Sequence, residues 1–107
     1  MDLAVETYRA TAGFPKSELY GLVSQITRSA GSVPANIAEG HGRELTGSFI
    51  QFLRIAQGSL KELETHIILA ERLEMIDNKK ADQLLLKAAE IGRMMRSMIR
   101  KLQDKQT

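Results

Sequence analysis

The sequence predicts an all-α protein: an antiparallel, up-and-down four-helix bundle with a short first helix and a second helix kinked at a proline. The first observation is composition, because only two of the 107 residues are proline and few are aromatic, whereas residues that favour helices are abundant. The second is periodicity, since apolar residues recur at alternating steps of three and four, which keeps them on one helix face. The third is that short breaks divide this pattern into four segments, and short connections favour antiparallel neighbours. We therefore expect one domain over residues 1–107.

The first helix is predicted over about residues 2–12, because Gly13 and Pro15 end the pattern. Its apolar spacing predicts a core-facing row of Met1, Val5, Tyr8 and Ala12. At 1.5 Å per residue this helix would be roughly 16 Å long, against roughly 42 Å for the third helix. Part of the core is therefore predicted to lack cover from the first helix.

The second helix is predicted over about residues 17–40, where Gly40 and Gly42 are suited to close it. Its predicted core row consists of Leu19, Val23, Ile26, Ala30, Val33, Ile37 and Gly40. Because Pro34 has no N–H to donate to the carbonyl of Ala30, we expect the helix to bend or restart there. Ser32 is placed to cap a restarted half.

The third and fourth helices are predicted over about residues 47–74 and 78–104, separated by Asp77 and Asn78. The predicted core rows are Phe49, Leu53, Ala56, Leu60, Leu63, Ile67 and Ala70 on the third, and Ala81, Leu84, Ala88, Ile91, Met95, Met98 and Leu102 on the fourth. Further apolar residues lie beside these rows: Phe52, Ile55, Ile68, Leu69 and Ile76 with the third, and Leu85, Ala89, Gly92 and Ile99 with the fourth. Such broad apolar faces favour self-association. An extended coiled coil is the less favoured alternative, because glycine and proline interrupt the pattern.

Composition excludes several classes of function. The chain has no cysteine, which rules out disulfides, thiolate metal clusters and a cysteine nucleophile, and its two histidines speak against a structural zinc site. The net charge of +2 and the pI near 9.1 permit a nucleic-acid partner without requiring one. There is no long apolar run and no signal-peptide pattern, so we expect a cytoplasmic protein without membrane contact.

No pattern in the sequence is typical of catalysis. A di-metal site of the bundle type needs Glu-x-x-His pairs, whereas Glu62 and His66 are four residues apart and have no second pair. His41 is expected in a loop and His66 on the surface. We therefore expect no catalytic residue, no metal and no cofactor, and an enzyme is the least favoured class.

A row of mostly short polar residues follows the second helix beside its apolar row: Gln25, Ser29, Ser32, Asn36, Glu39 and Arg43. Short polar side chains allow another backbone to approach closely or form oriented hydrogen bonds. Three interpretations remain open, namely an interface with a helix or subunit, a solvated face, and a ligand site.

A row of arginines marks the fourth helix, where Arg93, Arg96 and Arg100 share one face. Between residues 87 and 105 there are six basic residues, including Lys87, Lys101 and Lys105, against two acidic ones. Arginine suits phosphate because its planar group offers a fork of donors. The alternative is a solvated face whose charges favour the negative C-terminal end of the helix dipole. No aromatic residue is interleaved to stack on bases.

The segment from Tyr20 to about Leu73 resembles the four-helix-bundle protein family, also called the 23S rRNA-intervening sequence protein family. The match rests on the runs YGLVSQI (20–26) and SVPANIAEG (32–40), on Gly42-Arg43, and further on 49–53, 55–56, 58–59 and 62–64. The resemblance implies an antiparallel four-helix bundle that assembles as a homopentamer with positive residues around a central opening. Some members are encoded inside intervening sequences of large ribosomal RNA genes, and a distant relative in diversity-generating retroelements binds nucleic acid and a reverse transcriptase.

The resulting hypothesis is a non-enzymatic oligomeric module that binds nucleic acid, RNA or DNA, with structured RNA favoured. The residues expected to contact it are Arg93, Arg96, Arg100, Lys87 and Arg43. The alternative is a structural scaffold that binds a protein partner without nucleic-acid contact. In either case the residues expected at interfaces are Gln25, Ser32, Asn36, Glu39, Leu85 and Ile99. Nucleic-acid binding that weakens steeply with salt would favour the first hypothesis.

Overall fold

The computed structural model describes residues 1–14 and 21–106 as four helices. They are α1 (Asp2–Thr11), α2 (Leu22–His41), α3 (Thr46–Arg72) and α4 (Asn78–Gln106), and no strand occurs within these two ranges. The predicted all-α four-helix bundle is confirmed. The predicted start of the second helix at residue 17 and its core residue Leu19 lie outside the described residues.

The helices pack in the order α1, α2, α3, α4, with α4 also contacting α1. Along the α2–α3 contact, Gly40 lies beside Phe52, whereas Ser32 lies beside Ser59. Residue numbers fall in α2 as they rise in α3, so these two helices run in opposite directions. Helix α2 is continuous through Pro34, and no new helix begins at Ser32. A bend at Pro34 stays a prediction.

The core is built from one apolar residue per turn of α2, α3 and α4. Most of the predicted rows are buried, including Ile26, Ala30, Val33, Leu53, Ala56, Leu60, Leu63, Ile67, Ala70, Ala81, Leu84, Ala88 and Met95. Predicted members at the margins, such as Ile37, Phe49 and Leu102, are partly buried and pack against this cluster. Spacing alone therefore located the interior face of three helices.

The predicted core row of α1 is wrong. Met1, Val5 and Tyr8 are 78%, 42% and 51% exposed, and the buried residues of this helix include Thr7 and Thr11 instead. The Thr7 hydroxyl donates to the Leu3 carbonyl at 2.7 Å, and the Thr11 hydroxyl donates to the Tyr8 carbonyl at 2.8 Å. Because each hydroxyl is satisfied within its own helix, the two threonines can be buried at little cost.

The turn between α3 and α4 closes one helix and starts the next. Glu74 has a φ of 59°, and the Met75 N–H donates to the Ala70 carbonyl at 2.9 Å. This arrangement is a Schellman motif, in which glycine is the usual left-handed residue. The Asp77 carboxylate then accepts from the Lys80 N–H at 2.7 Å and caps the first turn of α4.

Candidate nucleic-acid interface

A groove runs along the outer side of the bundle between α3 and α4. Its cavity volume is about 420 Å³. The residues that line it are Gln57, Leu60, Lys61, Glu64, Ala88, Ala89, Gly92, Arg93 and Arg96. This surface is called the α3–α4 groove below. Small residues of α4 line its base, and its cations come from both helices: Lys61 from α3, and Arg93 and Arg96 from α4.

The small residues of α4 are what leave this space open. Gly92 is buried within the helix, and a Cβ atom at this position would lie 3.4 Å from Nη1 of Arg96 and 3.5 Å from Cδ2 of Leu60. Both distances are tight or ordinary contacts, so glycine allows the Arg96 guanidinium to lie close against the helix surface. Ala88 and Ala89, one turn earlier, also line the groove, and their small side chains leave space there as well.

The cations of the groove are only partly compensated by acidic groups. Arg93, Arg96 and Arg100 are exposed, and none of them makes an ion pair with another residue in the described part of the chain. Lys61 pairs with Glu64 at 3.5 Å, and Glu64 is the one carboxylate among the described residues that line the groove. The described residues of the groove therefore carry a net positive charge, and neither of its two guanidinium groups pairs with a described carboxylate.

Two cations of α3 were missed by sequence reasoning. Lys61 lines the groove opposite the α4 arginines, and the exposed Arg54 lies seven residues earlier on the same face of α3. Gln57, at the intermediate position, also lines the groove. The i, i+3, i+7 spacing of 54, 57 and 61 was the available signal, but only the packing of α3 on α4 joins it to the arginine row.

Two residues predicted to bind nucleic acid lie away from the groove and are already paired. Lys87 Nζ lies 2.6 Å from Glu6 Oε1 and ties α4 to α1. This hydrogen bond raises the pKa of Lys87 and lowers the pKa of Glu6. Arg43 lies 2.6 Å from a carboxylate oxygen of Glu39, with its guanidinium 4.9 Å from the centre of the Phe52 ring. The structure thus brings together the α4 arginines but neither Lys87 nor Arg43.

The polar row of α2 has its centre against α3. The hydroxyl oxygens of Ser32 and Ser59 lie 2.8 Å apart, and the Asn36 amide donates to both the hydroxyl and the carbonyl of Ser32 at 2.9 Å. Ser29 is buried and its hydroxyl donates to the carbonyl of Gln25. Helix contact within the chain therefore accounts for the middle of this row.

The other residues predicted at interfaces make contacts within one chain. The Gln25 side chain accepts from Arg28, and Glu39 accepts from Arg43 at the end of α2. Ile99 belongs to the buried core, and Leu85 is partly buried against it. A subunit role for any of them stays a prediction.

Neither histidine lies in an environment suited to binding a metal ion. His41 ends α2 rather than lying in a loop, and its ring stands edge-on to Phe49 at 5.7 Å between ring centres. His66 is partly buried rather than on the surface. Its Nε2 lies 3.7 Å from an oxygen of Glu62, and its buried Nδ1 has no hydrogen-bond partner among the described residues. Within residues 1–14 and 21–106, no group of three or more His, Asp or Glu side chains is placed to hold a metal ion.

The comparison with known proteins settles the family. The family model described as 23S rRNA-intervening sequence protein matches residues 1–97. The chain belongs to this family. Among solved structures four chains match; one is a protein of unknown function from the S23 ribosomal protein family of Bacteroides thetaiotaomicron VPI-5482. It is 26% identical to this chain with a TM-score of 0.79, and the alignment covers 92% of this chain and 95% of that one. None of the curated proteins compared with the chain matches it.

The part of the chain matched to the 23S rRNA-intervening sequence protein family contains the whole α3–α4 groove. Every lining residue up to Arg96 falls within residues 1–97, whereas Arg100, Lys101 and Lys105 follow the match. None of the described helices is both long and apolar enough to span a lipid bilayer.

Proposed function

We propose that this member of the 23S rRNA-intervening sequence protein family is a non-enzymatic, oligomeric module that binds structured RNA through the α3–α4 groove. The observation that carries the proposal is that Arg93 and Arg96 line one groove with Lys61 while no described residue pairs with either arginine. An unpaired guanidinium offers planar donors that match phosphate oxygens. The family's description, which names an rRNA context, supports RNA as the class of ligand.

The chemistry of the groove favours contact with the RNA backbone over contact with unpaired bases. No aromatic residue of the described ranges lines it, and the sequence of α4 contains none. The two phenylalanines of α3, Phe49 and Phe52, pack against Gly40 of α2. Single-stranded RNA is usually held by stacking on aromatic rings, whereas folded RNA is recognised by its phosphates and shape. Structured RNA is therefore the better fit.

Assembly would make the modest charge of one chain effective. The net charge is only +2, but copies arranged around a ring would present the same cationic groove repeatedly to one polyanion. Each contact then raises the effective concentration for the next. The homopentamer implied by the family resemblance supplies such an arrangement and would have a mass near 60 kDa, five times the 11.9 kDa of one chain.

The test compares two triple variants that remove the same charge. Arg93→Gln, Arg96→Gln and Arg100→Gln together should weaken binding to a hairpin RNA across unrelated sequences and flatten its dependence on salt. The control carries Arg28→Gln, Arg72→Gln and Lys79→Gln, which are exposed residues outside the α3–α4 groove. Fluorescence anisotropy over a series of KCl concentrations measures both slopes. Equal slopes for the two variants would show that the arginine row is only a solvated face.

The scaffold alternative predicts a different result in the same assay. A helical module that binds only a protein partner would show no salt-dependent affinity for hairpin RNA, and neither triple variant would change that. RNA retention would then appear only when the partner is present.

A further inference from the structure

The amide of Gln57 is the one neutral polar side chain among the described residues that line the α3–α4 groove. Gln57 is half-buried, and its side chain makes no hydrogen bond with another described residue. The amide therefore keeps both donors and an acceptor for a ligand. Attraction of a polyanion does not require this group, because the cations of the groove already supply that attraction.

The packing of α3 on α4 places Gln57 level with the arginine row. Leu60 lies beside Gly92, and the first turn of α3 lies beside Gln106 at the end of α4. Residue numbers fall in α4 as they rise in α3, so these two helices run in opposite directions. Gln57 is one turn before Leu60, and Arg96 is one turn after Gly92. Gln57 and Arg96 therefore lie at the same level on opposite walls of the groove.

The cations of the groove cannot distinguish one nucleic acid from another. Charged arginine and lysine side chains only donate hydrogen bonds, and the phosphate oxygens that accept them are common to RNA and DNA. The side-chain acceptors among the described lining residues are the Gln57 carbonyl oxygen and the Glu64 carboxylate. Glu64 is paired with Lys61 at 3.5 Å, and its negative charge repels a phosphate backbone. The Gln57 oxygen is the neutral acceptor that remains for a sugar hydroxyl.

We infer that Gln57 makes the groove selective for RNA by accepting a hydrogen bond from a ribose 2′-hydroxyl of a base-paired stem. The inference rests on the proposed function, because it assigns a sugar contact within the proposed RNA site. A 2′-hydroxyl donates and accepts, as does an amide. In an A-form duplex these hydroxyls lie along a wide, shallow minor groove that is bordered by phosphates. Cations of both helices bound to those phosphates hold the amide close to a row of hydroxyls.

The test separates the hydroxyl from the shape of the duplex. An RNA hairpin is compared by fluorescence anisotropy with the same hairpin carrying 2′-fluoro groups in its stem, which keep the A-form but cannot donate a hydrogen bond. Wild-type protein should bind the hydroxyl form about 2- to 10-fold more tightly, the contribution of one net hydrogen bond. Gln57→Met, which keeps the length of the side chain, should abolish this ratio by weakening binding to the hydroxyl form.

Two further variants secure the interpretation of this ratio. Gln51 is an exposed glutamine of the same helix outside the groove, so Gln51→Met is a matched control that should keep the wild-type ratio. Gln57→Ala introduces the residue that most favours a helix, and it should abolish the ratio as Gln57→Met does. If Gln57→Met lowers the affinity for both hairpins equally, the amide contacts a phosphate and the inference is wrong.

The same measurements distinguish this inference from the proposed function. If wild-type protein binds both hairpins equally, or if both Gln57 variants keep the wild-type ratio, the sugar contact is refuted. Loss of binding in the triple arginine variant would then still support RNA binding through the groove. If wild-type protein binds neither hairpin, the proposed function fails and the sugar contact fails with it.

Discussion

Two glycines in helices provide a matched test of how tightly α2 packs on α3. Gly40 is buried near the end of α2, and a Cβ atom there would lie 2.8 Å from Cβ of Phe52 and 2.9 Å from Cδ1 of Phe49. Gly58 is exposed in the middle of α3, and a Cβ atom there would meet nothing within 4 Å. The same substitution, glycine to alanine, should therefore have opposite effects at the two positions.

The expected magnitudes follow from two opposing terms. Alanine in place of glycine within a helix stabilises by about 1 kcal/mol, because the unfolded chain loses less freedom on folding. At Gly40 the Cβ of Phe52 cannot rotate away, since it is fixed to the α3 backbone, and overpacking of this kind costs about 1–3 kcal/mol. We expect Gly58→Ala to gain about 0.5–1 kcal/mol. Two contacts under 3.0 Å place the overpacking cost of Gly40→Ala in the upper half of its range, about 2–3 kcal/mol, so we expect a net loss of about 1–2 kcal/mol.

Urea denaturation followed by circular dichroism measures this difference, with both variants compared at one protein concentration. The free energies of unfolding of the two variants should differ by about 1.5–3 kcal/mol, which is above the error of the extrapolation. If Gly40→Ala were as stable as Gly58→Ala, the close approach of α2 to α3 at this end of the bundle would be refuted.

Three further predictions concern single contacts. Glu74→Gly should stabilise by about 0.5–1 kcal/mol in urea melts, because glycine adopts a positive φ without strain. Ser32→Ala should cost about 1–3 kcal/mol by leaving the Ser59 hydroxyl without its partner; a loss that grows on dilution would instead indicate a subunit contact. The Lys87 pair lowers the pKa of Glu6 below its ordinary 4.5, so its contribution is present at neutral pH and is lost as the pH falls through the folded-state pKa. Glu6→Gln should therefore make the loss of stability on acidification shallower.

The sequence predicts the buried face of a helix correctly where that face is entirely apolar, and not where polar side chains are buried as well. In α3 every buried row member is aliphatic, so counting apolar residues at steps of three and four finds the correct face. In α1 the buried face contains Thr7 and Thr11, whose hydroxyls bond to carbonyls of their own helix. Apolar counting instead selects the outward row of Met1 and Tyr8. The error shows that a helix with two apolar faces can be assigned only when its neighbours are known.

The candidate site was predictable on one helix and not between helices. The shared face of Arg93 and Arg96 follows from their spacing alone. That Lys61 lies across a groove from them depends on the packing of α3 on α4. Lys87 is paired with Glu6, which is 81 positions away in the chain, so the sequence near Lys87 does not reveal its partner. Counting charges along the sequence therefore assigned Lys87 to the RNA-binding residues and missed Lys61, because ion pairing depends on the tertiary structure.

The salt dependence of the proposed RNA binding tests whether neighbouring copies of the proposed assembly act together. Three arginines from one chain, each on a phosphate of a duplex, give a slope of about −2.7 in log affinity against log salt, and six from two neighbours give about −5.4. Between 50 and 200 mM salt these slopes correspond to losses of about 40-fold and about 2,000-fold. Protein concentrated enough to be an assembly by light scattering should show the steeper slope, and protein diluted until light scattering finds a single chain should show the shallower one. If the diluted single chain keeps the slope of the assembly, one chain supplies every phosphate contact. The ring would then add nothing to RNA binding.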